Sequence, residues 1–334
     1  MKEKKTLRRN RSLDLKTKHR INTAIMLAAL LVAVAVLSRR LHAIRPSELI
    51  NYLKMLKGGR ILLIFLSTGI SYAILTGFDW LALRFLRKPI PYPHIARAAF
   101  IGYSLGKNLG ISWVTGGSMR YRFYLRYGIA LKEVTKLVLF NTTTFLLGFF
   151  FWGGISFLIF PFKGGPSDYL PGLTVRLLGL GLLILPSFYL TASWLGWKTL
   201  SFRRRKWKVP PFKFALAQFA LGLLDVFFTI WILYLLLPPG GISLPSFFGI
   251  FFTGELLAIL SHGPGGIGIF ETAMFEMLKN FFSEQLLLSS LLLYRIIYFL
   301  LPLTLGVALL ALDEWKLRKR PMVASILHPE KKPR

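Results

Sequence analysis

Apolar residues fall in long unbroken runs, not in the period-two alternation of half-buried strands or the one-sided stripe of a soluble helix. The clear runs are 21–37, 61–83, 137–160, 172–194, 212–237 and 286–312. Each approaches or exceeds the roughly 20 residues that carry a helix across a bilayer. Two further runs are interrupted. Residues 95–118, IARAAFIGYSLGKNLGISWVTGGS, contain Lys107, Asn108 and a series of glycines. Residues 246–280 are an apolar half, a Gly/Pro break within SHGPGGIGIF, and a second apolar half.

The pattern predicts an all-α polytopic membrane protein. About six full transmembrane helices are joined by two Gly-rich re-entrant or broken helix pairs. A β-barrel is excluded because its segments would alternate over about 10 residues. The expected organisation is a basic cytoplasmic arm over 1–20, a single integral membrane domain over 21–312 and a basic cytoplasmic tail over 313–334.

Composition supports this class. The 334 residues are 54% hydrophobic, with 29 Phe, and the chain has no cysteine, so disulfide and thiol chemistry are absent. The 43 Lys+Arg against 14 Asp+Glu give a net charge of +29. Such a balance suggests nucleic acid at first sight. Here the basic residues lie between apolar runs, where they fix topology and attract anionic lipid headgroups. The partners expected are therefore membrane phospholipids and not nucleic acid. A homo-oligomer and a separate lipid-modifying synthase are further candidate partners.

Charge also orders the loops. Lys+Arg number nine in 1–20, three in 84–94, five in 119–136, seven in 198–213 and seven in 313–334. If both interrupted runs dip in and leave on the side they entered, all these segments lie inside. The loops 161–171, 238–245 and 281–285 then lie outside. Only 38–60, with six Lys+Arg, violates the positive-inside rule, and SELINYLKMLKGG reads as an interfacial amphipathic stretch. The first apolar run resembles a signal peptide but is expected to be a retained span in the plasma (inner) membrane. The two pairs would enter from opposite faces, as in an inverted-topology repeat whose halves meet at a midplane site.

Backbone cannot break in hydrocarbon unless protein buries it or water lines it. Gly263, Gly265, Gly266 and Gly268 permit the break, and Pro264 discourages continuation of the helix before it. A helix restarting over 267–278 would point its free N–H groups and positive end at the break, ready for a lipid phosphate. Glu271 falls in its first turn, to offset the dipole, meet a cationic headgroup or carry a proton. Glu255, His262 and Glu276 lie near. In the other break, Gly116 and Gly117 precede Ser118, a candidate N-cap. Arg120 and Arg122 offer forks suited to phosphate oxygens. The competing reading is a tight packing corner with snorkelled anchors.

Lys107 and Asn108 lie deeper than anchors would. Asp225 and Arg295 are central in their runs and are candidates to pair with each other or with Glu255. Asp79 and Arg176 fall near segment ends and are expected at the interface. Candidate phosphate-binding residues are thus Lys107, Asn108, Gly116, Gly117, Ser118, Arg120, Arg122, Gly265 and Gly266. Candidate cation or proton sites are Glu255, His262, Glu271, Glu276, Asp225 and Arg295.

Ser104, Asn108, Gly110, GGSMRYRFYLRYGI (116–129) and PGGIGIFE (264–271) together resemble the lysylphosphatidylglycerol synthase/flippase transmembrane family. This is the membrane half of the bacterial multiple peptide resistance factor, with its stand-alone relatives. The resemblance covers roughly residues 20–315. It implies translocation of a phospholipid such as aminoacylated phosphatidylglycerol between leaflets. The family's soluble aminoacyl-transferase domain has no counterpart in the short tail, so lysyl transfer by this chain is not expected. The resemblance also carries Ser104, Asn108, Arg120 and Glu271 as candidate functional positions.

Enzyme readings are weaker. Ser261 and His262 are adjacent, a poor arrangement for nucleophile and base. The five histidines show no metal-ligand spacing, and no cofactor is expected. A membrane-embedded headgroup transferase and a non-transporting lipid-binding scaffold remain as alternatives.

Overall fold

The computed structural model describes residues 46–108, 112–159, 171–197, 199–202, 205–261 and 268–318. The apolar run 21–37, Gly110, His262 and the four residues 263–266 lie outside them. The chain forms two compact units, Met1–Leu53 and Lys54–Arg334. The described part of the first belongs to helix α1 (Pro46–Met55), in the stretch read as amphipathic.

The second unit carries the membrane architecture. α2 (Gly58–Phe85), α5 (Leu131–Ile159), α6 (Gly172–Trp194), α7 (Phe212–Leu236) and a continuous helix over Glu284–Lys316 are long and apolar enough to cross a bilayer. The last comprises α10 (Glu284–Tyr294), a π-helical turn (Arg295–Leu300) and α11 (Leu301–Arg318). Between them lie two pairs of shorter helices. The first is α3 (Tyr92–Asn108) with α4 (Ser112–Leu125), the second α8 (Leu244–Leu260) with α9 (Ile269–Leu278). At 17, 14, 17 and 10 residues, all fall short of the roughly 30 Å hydrocarbon core at about 1.5 Å per residue.

Ion pairs fix where the first pair begins and ends. Lys88, after α2, lies 2.9 Å from Glu133 in the first turn of α5. Arg97, in the second turn of α3, and Arg126, just past α4, both meet Asp313 of α11, at 3.8 and 2.8 Å. The first pair thus starts and finishes on the face where α2 ends.

The second pair starts and finishes on the opposite face. Arg60, at the start of α2, donates to the Leu237 carbonyl at 2.6 Å. Tyr234 donates to the Ile242 carbonyl at 3.1 Å. Gly241, before α8, packs so closely on the Phe282 ring, after α9, that a Cβ there would lie 2.2 Å from it. Both pairs are therefore re-entrant, from opposite faces.

The order span, re-entrant pair, span occurs twice: α2, α3–α4, α5 and then α7, α8–α9, α10–α11. Packing follows the same exchange. α2 lies on α7, while α3 lies on α11 and α8 on α5. Glycine makes the closest crossing possible. A Cβ on Gly148 of α5 would fall 2.1 Å from the Gly222 carbonyl oxygen of α7, so the two backbones touch, as small residues allow in membranes. α6 packs on α5 and leaves Leu173, Leu177, Ile184 and Phe188 exposed, a lipid-facing surface.

Among the described residues, strands occur in one place. β1 (Thr199–Phe202) and β2 (Arg205–Lys208) form an antiparallel hairpin within the basic loop between α6 and α7, with Leu200 opposite Trp207. Four-residue strands in an arginine-rich segment leave too little period-two pattern to distinguish from a loop.

Candidate functional site

The inner ends of both broken pairs meet at the π-helical turn. Its cause is written in YFLLP. Pro302 has no N–H, so the carbonyl of Tyr298 loses its α-helical donor. Tyr72 of α2 supplies one instead, donating to the Tyr298 carbonyl at 3.1 Å. Asn108 Nδ2, at the inner end of α3, donates to the Phe299 carbonyl at 3.1 Å and to Ser104 at 2.7 Å. The irregular turn is thereby satisfied by side chains from the first half of the chain.

The Tyr298 hydroxyl is the hub of a polar cluster. Lys107 Nζ donates to it at 2.6 Å and lies 4.5 Å from the centre of its ring. The hydroxyls of Ser71 and Thr229 lie 3.0 and 2.8 Å away. Four elements, α2, α3, α7 and the π turn, therefore converge on one oxygen. Asp225, one turn before Thr229, is 3% exposed, and its Oδ1 has no hydrogen-bond partner among the described residues. Asp225 and Glu255 are the carboxylates that act electrostatically on Lys107.

The second pair contributes Glu271. Gly268 has φ 95°, open to glycine alone without strain, and its N–H donates to Glu271 Oε2 at 2.7 Å. The other carboxylate oxygen accepts from Arg295 Nε at 2.6 Å. Glu271 thus caps its own helix and anchors the π turn, and Arg295 is held over the Phe299 ring at 4.5 Å. Glu255 of α8 lies within electrostatic reach of Arg295 and Lys107 but forms no ion pair among the described residues.

A separate network holds the first pair. Asp79 is fully buried, and Arg120 Nε lies 2.8 and 3.1 Å from its two oxygens. Tyr124 donates to it at 2.7 Å and Asn141 at 2.6 Å. Arg120 also stacks on Tyr103 at 4.1 Å, and its Nη2 has no hydrogen-bond partner among the described residues. Gly102 and Gly116 make room for it: a Cβ on Gly116 would lie 2.9 Å from the Gly102 carbonyl oxygen.

Several expectations are revised. Asp79, expected at the interface, is buried within the protein, where three polar side chains close around the carboxylate. Ser118 is not an N-cap; helix α4 starts at Ser112, leaving Ser118 exposed in its interior. Gly116 and Gly117 are likewise helical. Arg295 pairs with Glu271, not with Asp225 or Glu255. Arg122 pairs with Glu314 of α11, and Glu276 with Lys279 on the exposed side of α9. Ser104 lies in the α3–α11 contact, where a Cβ on Gly306 would collide with its hydroxyl. Gly265 and Gly266 join His262 outside the described residues.

Sequence reasoning missed Tyr298, Thr229, Ser71 and Tyr72. Pro302 was the available signal for the first of these, since a mid-span proline frees a carbonyl four residues earlier.

Comparison with known proteins agrees with this architecture. The family described as "Lysylphosphatidylglycerol synthase TM region" matches residues 24–306. The chain is 33% identical over 251 residues to the "Uncharacterized protein slr0712" of Synechocystis, covering 74% of this chain and 77% of that protein. It is 29% identical over 254 residues to the "Inner membrane protein YbhN" of Escherichia coli, covering 75% and 79%. A third similarity, 24% identity over 308 residues, is to the "Phosphatidylglycerol lysyltransferase" of Staphylococcus xylosus; it covers 86% of this chain but 33% of that protein.

Proposed function

Because the chain belongs to the lysylphosphatidylglycerol synthase transmembrane-region family, we propose that it is a flippase-like lipid translocase of the cell membrane. The observation that carries this reading is the meeting of two re-entrant pairs, from opposite faces, at Lys107, Tyr298, Glu271 and Arg295. Charges at membrane depth are costly and concentrate where a polar solute must pass. Broken helices meeting near the midplane are how transporters expose such a site to either side in turn.

In this reading the lipid phosphate meets Lys107, whose ammonium now rests on the Tyr298 hydroxyl and exchanges it for an anion. A cationic headgroup is met by Glu255, because Glu271 is held by Arg295 and by the Gly268 N–H. Acyl chains stay in the bilayer beside the cleft. Arg120 serves the scaffold through Asp79, with Nη2 turned to the interior of the first pair. The face bearing Lys88, Arg97, Arg122, Arg126 and the basic hairpin is cytoplasmic by the positive-inside rule. In this reading the basic segments 1–20 and 313–334 are expected on that same side.

One relative is named a phosphatidylglycerol lysyltransferase, which makes aminoacylated phosphatidylglycerol the first lipid to try. The test is leaflet exchange in proteoliposomes containing labelled phosphatidylglycerol, lysyl-phosphatidylglycerol or a polyprenyl phosphate. Exchange above that of empty vesicles is expected for at least one. Absence of exchange for all three, with folded protein, turns the assignment toward a headgroup transferase or a scaffold.

A further inference from the structure

Lys107 and Asp225 are opposite charges that share a buried cluster without closing into an ion pair. Lys107 donates to the Tyr298 hydroxyl at 2.6 Å. That hydroxyl lies 3.0 Å from Ser71 Oγ, and Ser71 lies beside Asp225. Thr229, on the same face of α7, bonds the Asp225 backbone carbonyl at 2.8 Å and the same phenol at 2.8 Å. Hydroxyls both donate and accept, so Tyr298 and Ser71 link the ammonium to the carboxylate through groups that can pass a proton. Asp225 Oδ1, in a residue 3% exposed, has no hydrogen-bond partner among the described residues. An ionised oxygen so placed lacks compensation that protonation would remove.

We propose that Asp225 binds a proton together with the lipid phosphate at Lys107, so that one proton and one phosphate charge occupy the cluster at once. This rests on Lys107 being the phosphate partner. With Asp225 ionised, the Lys107 charge is balanced from within the protein. With Asp225 protonated from bulk solvent, Lys107 loses one of the two carboxylates that act on it and attracts an anion. The two binding events favour each other, and linkage makes the effect reciprocal. Phosphate entering with a proton adds no net charge to a low-dielectric site, which lowers the cost of carrying a headgroup through it.

Two carboxylates act on Lys107, Asp225 of α7 and Glu255 of α8, and Glu255 is not among the groups that act on Asp225. From α2 come Ser71 and Tyr72, from α3 Tyr103 and Lys107, and from the last span Tyr294 and Tyr298 near it. Lys107 is the one fixed cation among them. α5 and α6 contribute no charged group to it among the described residues.

The experiment is binding of short-chain phosphatidylglycerol to the purified full chain in detergent across a pH series, with infrared detection of protonated carboxyl. Wild-type affinity is expected to rise about tenfold as pH falls, the lower end of the effect of a neighbouring charge. Asp225→Asn should bind as tightly as wild type at low pH, with no pH dependence, and should lack one titrating carboxyl band. Glu255→Gln should keep the pH dependence, and Tyr298→Phe should weaken it. Persistent pH dependence in Asp225→Asn overturns the proposal, as does a requirement for sodium in place of acid. If the carboxyl band titrates but phosphatidylglycerol binds at no pH, it is the Lys107 reading that fails, and co-binding falls with it.

Discussion

Arg120 of α4 and Asp79 of α2 form a buried ion pair in which Nε lies 2.8 and 3.1 Å from the two carboxylate oxygens. The pair ties the second helix of the first re-entrant unit to a full span. Tyr124 and Asn141 complete the carboxylate's hydrogen bonds.

Removing one partner leaves the other charge buried and uncompensated. Asp79→Ala is expected to cost about 3–5 kcal/mol of stability. Arg120→Ala should also lower the thermal midpoint in detergent, and the double variant should lose less than the sum of the two. Additive losses would mean that the side chains do not act as a pair.

Gly148 and Gly222 set how closely α5 approaches α7. A Cβ on Gly222 would lie 2.1 Å from the Thr144 carbonyl oxygen, and that oxygen belongs to backbone, which cannot swing aside. Gly222→Ala should therefore destabilise by about 1–3 kcal/mol, read as earlier thermal aggregation in detergent. Gly181→Ala, where no atom lies within 4 Å of the added Cβ, should be neutral or slightly stabilising.

Glu271 and Arg295 are not interchangeable in position. Glu271 also accepts from Gly268 N–H at the positive end of α9. Exchanging the charges, Glu271→Arg with Arg295→Glu, should fail to restore leaflet exchange, because a cation at a helix N-terminus is unfavourable. Full rescue by the exchanged pair would show that the ion pair alone matters.

The absence of cysteine makes accessibility mapping clean. Tyr127→Cys, after α4, and Ser283→Cys, after α9, should react with an impermeant thiol reagent from opposite sides of the membrane. Labelling from the same side would contradict re-entry from opposite faces.

Much of this architecture is legible in the sequence because bilayer length is a strict ruler. The full-length apolar runs that fall among the described residues became spans, and the two runs broken by glycine became paired half-helices. Partners were harder to read. Asp79 looked terminal because its run was cut at residue 83, whereas helix α2 carries on through Phe85. The arginines of RYRFYLR looked alike in spacing, yet Arg120 turns inward to Asp79 while Arg122 and Arg126 meet Glu314 and Asp313. Pairing across about 190 residues, as between Lys107 and Tyr298, leaves no local pattern. Ser71 and Thr229 are small hydroxyl residues in apolar helices, which usually bond their own backbone.

The most direct test of the account is leaflet exchange of labelled phosphatidylglycerol and lysyl-phosphatidylglycerol in proteoliposomes, comparing wild type with Lys107→Ala. A charge-assisted contact to phosphate is worth about 1.5–3 kcal/mol. The account expects exchange above empty vesicles for wild type and a loss of about tenfold or more in Lys107→Ala, with thermal stability retained. Exchange undiminished in Lys107→Ala, or absent in folded wild type for both lipids, would contradict it.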